Sequence, residues 1–554
     1  MKRLPLALLF ILPLLAYGAD PSVPSAGTML QQIQPVSIPG PSSIGTGLTV
    51  ERKGIGQLPA SAPFLVRTLR ITGNSHFPTA TLQALVTDAD GRNLTLPQLN
   101  AIVARITQHY HRHGFPLAQA IIPAQEIQNG LVVVEVIEAR YGTVKLDNQS
   151  RVSNSLLRDT LAPLQSGQTI SQSPLDHALL LLSDIPGITV NATLKPGQEY
   201  GTSDLLVGTK SDPFVSGYLV LDYFGNRYTG RTRLGVTLNI NEPFGRGDVL
   251  SVSGLTSGRG INYGRIAYEM LLNGQGTRFG GSFSLLDYKL GGALKALDAR
   301  GDAKVESLWV KHPFARSRNI NVYGQLQYDG LQLRDRLSGG LVRTDRHLDN
   351  AKLSLAGDAR NSFMPGGISI WRLDWTIGRV IFDDGPARLA DAATANTNGG
   401  FSKWNLNLMH LQSLGPKNSL YLSFSGQWAN GNLDSSQKMI GGGPYTVRGY
   451  DMGAVSGDSG YLGTVEFRHD LSSSGSNKWQ VVAFVDSAQL KLNHTTWSTG
   501  PNRATLSGAG VGLNWHGQNQ WSAKLNVAVP IGATPSVVPN TSSARLWVEL
   551  SKAF

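Results

Sequence analysis

Several residue groups in this chain have types and spacings that could do chemistry. His109 and His113 stand four apart, which on a helix puts two imidazoles on one face within reach of a metal ion. No carboxylate stands at the offset a zinc hydrolase needs, and the stretch closes a surface helix just before Gly114, so no metal is assigned. The run Gly-Ala-Gly-Val-Gly at 508–512 shares part of a dinucleotide fingerprint. It lies inside an alternating segment with no helix after it, which points to close packing or bending of a strand. Residues 441–444, Gly-Gly-Gly-Pro, lack the Lys-Ser/Thr of a phosphate loop, and Gly457, Asp458, Ser459 and Gly460 have the wrong spacing for a nucleophile elbow. With no cysteine in 554 residues, thiolate metal sites and cysteine nucleophiles are excluded. The expectation is a protein that is not an enzyme and carries no cofactor.

A fifth group has a different character. Between Met439 and Tyr450 the only charge is Arg448, set after a glycine hinge in an apolar-Arg-Gly-Tyr tip, Val447, Arg448, Gly449 and Tyr450. An isolated guanidinium in apolar surroundings wants a carboxylate. Asp486, in Val-Val-Ala-Phe-Val-Asp-Ser, shares strand parity with Gln480 and opposes Val481, Ala483 and Val485, which places it on a polar face together with Phe484.

The elements that must position this pair can be read along the chain. Lys2 and Arg3, an apolar stretch over 4–16 and small residues at Ala16, Gly18 and Ala19 read as a secretory signal peptide over 1–19, so the mature chain works outside the cytoplasm, away from ATP. Residues 20–37 hold one short helix-compatible island with Met29, Leu30 and Ile33 on one face, and 38–62 read as a flexible linker rich in Pro, Ser, Gly and Gln. Over 63–140 and 141–211 two small α+β units follow. In the first, Leu99, Ile102, Val103, Ile106 and Tyr110 mark an amphipathic helix; in the second, a helix stops at Pro186 and Gly187.

From about Asp212 to Phe554 the helical period vanishes and segments alternate apolar and polar. Leu234, Val236, Leu238 and Ile240, for example, oppose Arg233, Thr237 and Asn239. Sixteen such segments are countable, the first near Phe214 and the last near Ala544, about 21 residues per strand and connection. That suits membrane-crossing strands of about ten residues. Gly is high, at 63 of 554, and charged residues are low, at 16%. No run of about 18 apolar residues exists to cross a membrane as a helix. The net charge of +11 permits anionic partners without demanding any. With an even strand count, an export signal and a terminal Phe554, residues 212–554 are expected to form a 16-stranded antiparallel transmembrane β-barrel. Lys552 interrupts its outward apolar row and would snorkel to the interface.

These residues carry a resemblance. Val447 to Tyr450 and the Phe-x-Asp of Phe484 and Asp486 resemble the loop-six tip and barrel-wall motif of TpsB transporters of two-partner secretion, in the BamA-like superfamily. Residues 114–125 resemble the family's first POTRA motif, with Phe115 where Tyr is usual, and residues 182–197 resemble its second, with Ile188 where Val is common. Ser487 follows Asp486 with no Gly at the next positions. The resemblance implies a plug helix at Met29, Leu30 and Ile33, two POTRA domains and the barrel, located in the bacterial outer membrane with the POTRA domains in the periplasm. It implies export of an unfolded TpsA-type exoprotein, with outer-membrane lipid as surroundings, periplasmic chaperones as compatible partners and no nucleic acid. Capture by β-augmentation is expected at two grooves, one beside Leu117, Ala118, Ala120 and Ile122, the other beside Thr189, Val190, Ala192 and Leu194. The alternative is an outer-membrane assembly factor of the BamA-like type, which usually carries more POTRA domains.

Overall fold

Thr95 starts the longest helix among the described residues with a reciprocal cap: its hydroxyl accepts from the Gln98 amide while the Gln98 side chain accepts from the Thr95 amide. Helix α3, Leu96–Arg112, then buries Leu99, Ile102, Val103, Ile106 and Tyr110, the residues its 3.6-residue period selects. It packs on a three-stranded sheet in which Leu131–Ile137 lies centrally, parallel to Thr68–Thr72 and antiparallel to Gln119–Ile121. The short α2, Thr79–Ala84, adds Leu82 to that core. Glu138 ties the unit together. It accepts from the amides of Ser75 (2.8 Å) and His76 (3.0 Å), from the Tyr110 hydroxyl (2.6 Å) and from the Ser75 hydroxyl. Burial alone would raise its pKa, but those four donors outweigh it and hold the carboxyl below its ordinary range.

The computed structural model describes residues 23–33, 47–51, 61–471, 477–538 and 542–554. The signal peptide over 1–19 lies outside the described residues, as do 20–22 and 34–37 of the island region and 38–46 and 52–60 of the linker. The island forms helix α1, Ala26–Ile33. In the second unit, α4 (Asn154–Leu161) and α5 (Gln172–Ser183) cover a sheet whose strands run Leu48–Val50, Ile188–Pro196, Thr202–Ser211, Arg140–Gln149. Gly187, at φ +78°, makes the turn from α5 into Ile188–Pro196, a left-handed conformation that suits glycine.

The remainder closes into a barrel of sixteen strands, from Val215–Asp222 to Arg545–Ala553, every neighbour pair antiparallel. The closing pair is short, joining Tyr218 to Asp222 with Glu549 to Ala553. The sixth to ninth strands, by contrast, are 17, 18, 19 and 16 residues long: Arg300–Arg316, Ile320–Leu337, Val342–Arg360 and Gly367–Phe382. The expectation of roughly ten-residue strands fails here for a physical reason. Outward Leu308, Leu326, Leu353 and Trp375 mark the apolar band, and beyond it the same outward parity carries Asp302, Arg334, Asp345 and Arg379, so these strands continue past the hydrocarbon into water. Lys552 points outward opposite Trp521, its ammonium 5.9 Å from the ring centre, which accounts for a charge in the apolar row.

The second unit docks on the near mouth of the barrel. Arg316 grips the Asp184 carboxylate at 2.6 and 2.8 Å, Arg318 pairs with Asp176 at 2.9 Å, and Arg278 donates to the Asp184 carbonyl at 2.9 Å.

Because the folded pKa of Glu138 is depressed, its stabilisation is complete above the unfolded value of about 4.3 and disappears as pH falls through the lower folded value. Thermal unfolding of the first unit should therefore lose stability on acidification from about pH 5 toward pH 3. Glu138→Gln should flatten that dependence while costing about 1–3 kcal/mol at neutral pH. A pH series of melting curves for the two proteins checks both.

Candidate functional site

The barrel encloses a lumen with polar walls, and two described parts of the chain occupy it, the loop after the eleventh strand and helix α1. The loop between the eleventh strand, Asn418–Ala429, and the twelfth, Ser459–Asp470, folds inward and brings the Val447 to Tyr450 tip against the wall. Gly449 is required there by close approach. A Cβ on it would sit 2.9 Å from the Val529 carbonyl oxygen, and a Cβ on Gly508 would sit 3.0 Å from the Gly449 nitrogen. The glycines at 508–512 thus belong to the barrel wall, where Gly508 opens space for the loop while Gly510 and Gly512 abut the neighbouring strands at Phe484 and Asn526; no helix follows them.

Arg448 is 7% exposed and Asp486 fully buried. The two meet in a bidentate pair, Nε to Oδ2 and Nη2 to Oδ1 both at 2.8 Å, and the Arg448 amide adds a bond to Oδ2 at 3.1 Å. The guanidinium carbon lies 3.2 Å from the Phe484 ring centre, a cation–π contact in a dehydrated setting. The inward parity assigned to Phe484 and Asp486 matches the register, in which Thr464 faces Asp486 and Glu466 faces Phe484.

The sequence reading gave Arg448 one carboxylate, and the structure gives it two. Glu466 Oε2 accepts from Nη1 at 2.7 Å, while Oε1 accepts from Arg468 at 2.8 Å. Thr464 donates to Asp486 at 2.9 Å, and Trp547 on the last strand donates to the Arg448 carbonyl at 2.8 Å. The signal for Glu466 was present in the alternation Thr464, Glu466, Arg468; what parity alone cannot supply is the neighbouring strand. Further along the loop, Asp451 receives Arg545 at 2.8 Å and Arg231 at 3.1 Å. Val447 and Tyr450 are buried beside Val455, Leu462, Leu490 and Leu506.

Helix α1 lies inside the lumen, near the far mouth. Met29 and Leu30 pack with Leu286, Tyr288, Leu331, Leu333 and Leu433, and Ile33 flanks the same cluster. The Ala26 amide donates to Asp335 at 2.7 Å; Asp335 also accepts from Tyr288 (2.6 Å) and Arg346 (2.8 Å), and Arg346 bridges to Asp434 in the inward-folded loop. Gly27 abuts Ser435 and Ser436 of that loop so closely that a Cβ would clash. The helix is therefore clamped between wall and loop.

The two expected grooves fare differently. Gln119–Ile121 is an edge strand, but Ala118 and Ala120 are buried and the Ala120 amide donates to Thr107 at 2.9 Å, so the edge is blunted at its centre. Leu117 and Ile122 flank the cores. The groove at Thr189, Val190, Ala192 and Leu194 is covered along Ala192 to Leu194. The linker strand Leu48–Val50 pairs there in parallel, Leu48 with Ala192 and Val50 with Leu194, and the Glu51 amide bonds the Leu194 carbonyl. Val190, Ala192 and Leu194 point into the core. His109 and His113 have rings 4.2 Å apart beside Phe77; the His113 ring bonds the His109 carbonyl, and among the described residues no group of three potential ligands forms.

Comparison with known proteins assigns this architecture. The family described as haemolysin secretion/activation protein ShlB/FhaC/HecB matches residues 201–515, and the POTRA domain, ShlB-type, matches residues 64–139. The heme/hemopexin transporter protein HuxB of Haemophilus influenzae is 26% identical over 541 residues, 96% of this chain and 95% of its own length. The outer membrane transporter CdiB of Escherichia coli is 22% identical over 499 residues, 85% of this chain and 80% of its own. Among solved structures, CdiB from Escherichia coli superposes with a TM-score of 0.69 at 19% identity, covering 91% of this chain and 92% of that one. BamA from Haemophilus ducreyi lacking POTRA domains 1-3 superposes with a TM-score of 0.52 at 16% identity, covering 89% of this chain and all of that one.

Removing one side of a buried ion pair costs about 3–5 kcal/mol, because the remaining charge is stranded. Arg448→Ala should strand Asp486, leave Glu466 with Arg468 alone, and release the loop. In detergent, limited proteolysis should then cut within 437–450 in the variant and not in the parent. Arg448→Ala/Asp486→Ala should be cut no faster than either single variant.

Proposed function

This chain belongs to the haemolysin secretion/activation family ShlB/FhaC/HecB, the TpsB transporters of two-partner secretion, and from that premise we propose how its parts divide the work. The protein is an outer-membrane translocator that exports a TpsA-type partner through its barrel, with its POTRA domains in the periplasm. The fold is shared with BamA, but the family assignment favours secretion over outer-membrane assembly.

The observation that carries the division of labour is that helix α1 and the inward-folded loop, both tethered pieces of this chain, obstruct the lumen. Helix α1 is held by hydrogen bonds and a small apolar cluster, and the loop tip by one guanidinium between two carboxylates. Both attachments are local and reversible, whereas the wall is a continuous ladder. We infer that α1 is a plug that leaves the lumen and that the Arg448 cluster fixes a loop position needed for export. No step calls for a nucleotide, so folding of the partner outside biases its passage.

Capture is assigned to backbone pairing, which reads any sequence that can extend. The edge beside Gln119–Ile121 is available at its rim in the resting chain. The edge beside Ile188–Pro196 is held by Leu48–Val50, so an incoming strand must displace the linker there. Periplasmic chaperones would supply the unfolded partner, and outer-membrane lipid surrounds the apolar band.

Deleting residues 20–37 should raise single-channel conductance in planar bilayers; unchanged conductance would show that α1 does not close the pore. Thr49→Pro removes a ladder donor and cannot extend the sheet. Photo-crosslinkers at Asn191 and Thr193 should then give several-fold more adduct with the exported partner than in the parent, while crosslinkers beside Gln119 should be indifferent to the change. Arg448→Ala and Asp486→Ala should each abolish export while barrels of normal unheated electrophoretic mobility still reach the membrane.

A further inference from the structure

Beneath α1, toward the near mouth, the inner wall of the sixth to tenth strands carries three lysines, Lys311, Lys352 and Lys403, that stand outside its ion pairs among the described residues. Cross-strand register fixes their places. One row runs Lys311, Gln325, Ser354, Asp374; the next, one inward step farther from the near mouth, runs Gln327, Lys352, Thr376, Lys403. Among the described residues none of these three lysines makes an ion pair. Lys311 faces the Tyr323 ring at 4.7 Å and lines a cavity of about 450 Å³ that also meets Asp184 and Pro186 of the docked POTRA unit. Lys403 donates to the Gln437 carbonyl, at the stem of the inward-folded loop, at 2.7 Å. The three lysines thus lead from the docking surface of the second POTRA domain to the foot of the loop.

The carboxylates on the same wall are already engaged. Glu269 accepts from Arg278 (3.3 Å) and from the Trp309 indole (2.8 Å); Asp374 accepts from Arg372 (2.8 Å) and Ser354; Asp329 accepts from Ser307 and Gln327. A polar wall that engages its acids through ion pairs or hydrogen bonds and leaves a line of lysines outside those ion pairs is complementary to an anion. Its pitch indicates which kind. Neighbouring strands lie about 4.8 Å apart and same-face residues about 7 Å apart, so Lys311 and Lys352 are separated by about 12 Å and Lys352 and Lys403 by about 10 Å. In an extended polypeptide, side chains four residues apart on one face repeat at about 13 Å. Lysine stems are long enough to absorb the difference.

We propose that Lys311, Lys352 and Lys403 form an anion-binding ladder that receives carboxylate side chains of an extended polypeptide entering from the POTRA side. The assignment rests on the lumen being the polypeptide's route. It adds a preference for acidic residues spaced along one face of the passing chain, on the part of the wall between the near mouth and α1.

The test uses the full chain in detergent and a fluorescein-labelled decapeptide of alternating Glu and Ser, read by anisotropy. Three charge pairs at up to about 0.5 kcal/mol each amount to about tenfold in affinity. The Lys311→Gln/Lys352→Gln/Lys403→Gln variant should therefore bind about tenfold more weakly, and the corresponding triple Arg variant should bind as the parent does. A Lys-Ser decapeptide should not saturate. A second arm measures chloride against potassium preference in bilayers under asymmetric salt, which should shift toward potassium in the Gln variant. If chloride preference falls while Glu-Ser binding is unchanged, the ladder serves small anions and the polypeptide assignment is overturned. If neither changes, the ladder itself is overturned. Should the triple variant fail to assemble, Lys311→Gln alone must still weaken Glu-Ser binding. Neither arm depends on export, so a failed secretion assay and a failed ladder are separate results.

Discussion

A strand edge cannot stand in hydrocarbon, because backbone N–H and C=O groups there have no water to bond and each orphan costs several kcal/mol. That constraint forces the sixteen strands to close, and closure forces everything else. A closed barrel of this size has a polar lumen too wide for its own side chains to fill. The chain fills it with α1 and the inward-folded loop, and the buried charges those pieces bring must be paired where they land.

The Arg448 cluster shows how that pairing is solved. A guanidinium presents donors in a fixed fork, and here the fork spans two strands, taking Asp486 bidentately and Glu466 with its remaining nitrogen while its face rests on Phe484. A lysine could neutralise one carboxylate but could not hold both and stack. The second buried chain, Asp335 to Arg346 to Asp434, uses the same chemistry to join wall and loop beneath the N-terminus of α1. Helix α1 and the loop therefore share a boundary at Ser435 and Ser436, so displacement of one alters the packing of the other.

Outside the membrane the constraint reverses. Strand edges in water are permitted, and the two POTRA units treat theirs differently. The first blunts its edge with a threonine hydroxyl; the second covers its edge with three residues of linker. A covering strand from the chain's own linker is bound at high effective concentration yet with few contacts, which makes it displaceable by a competitor.

Periodicity determined a great deal by itself. The switch from a 3.6-residue to a two-residue period near Asp212 marked the barrel, parity placed Asp486 and Phe484 inward, and the apolar face Met29, Leu30 and Ile33 marked α1. These are local properties, legible because a helix or strand displays its own period whatever it packs against. Partners were not legible in the same way. That Glu466 would share Arg448, that Leu48–Val50 would occupy the Ala192 to Leu194 edge and that Lys311, Lys352 and Lys403 would share one wall across five strands depends on which strands become neighbours and in what register. Register is set by closure of the whole sheet, a sum over every strand at once, and no window of sequence contains it.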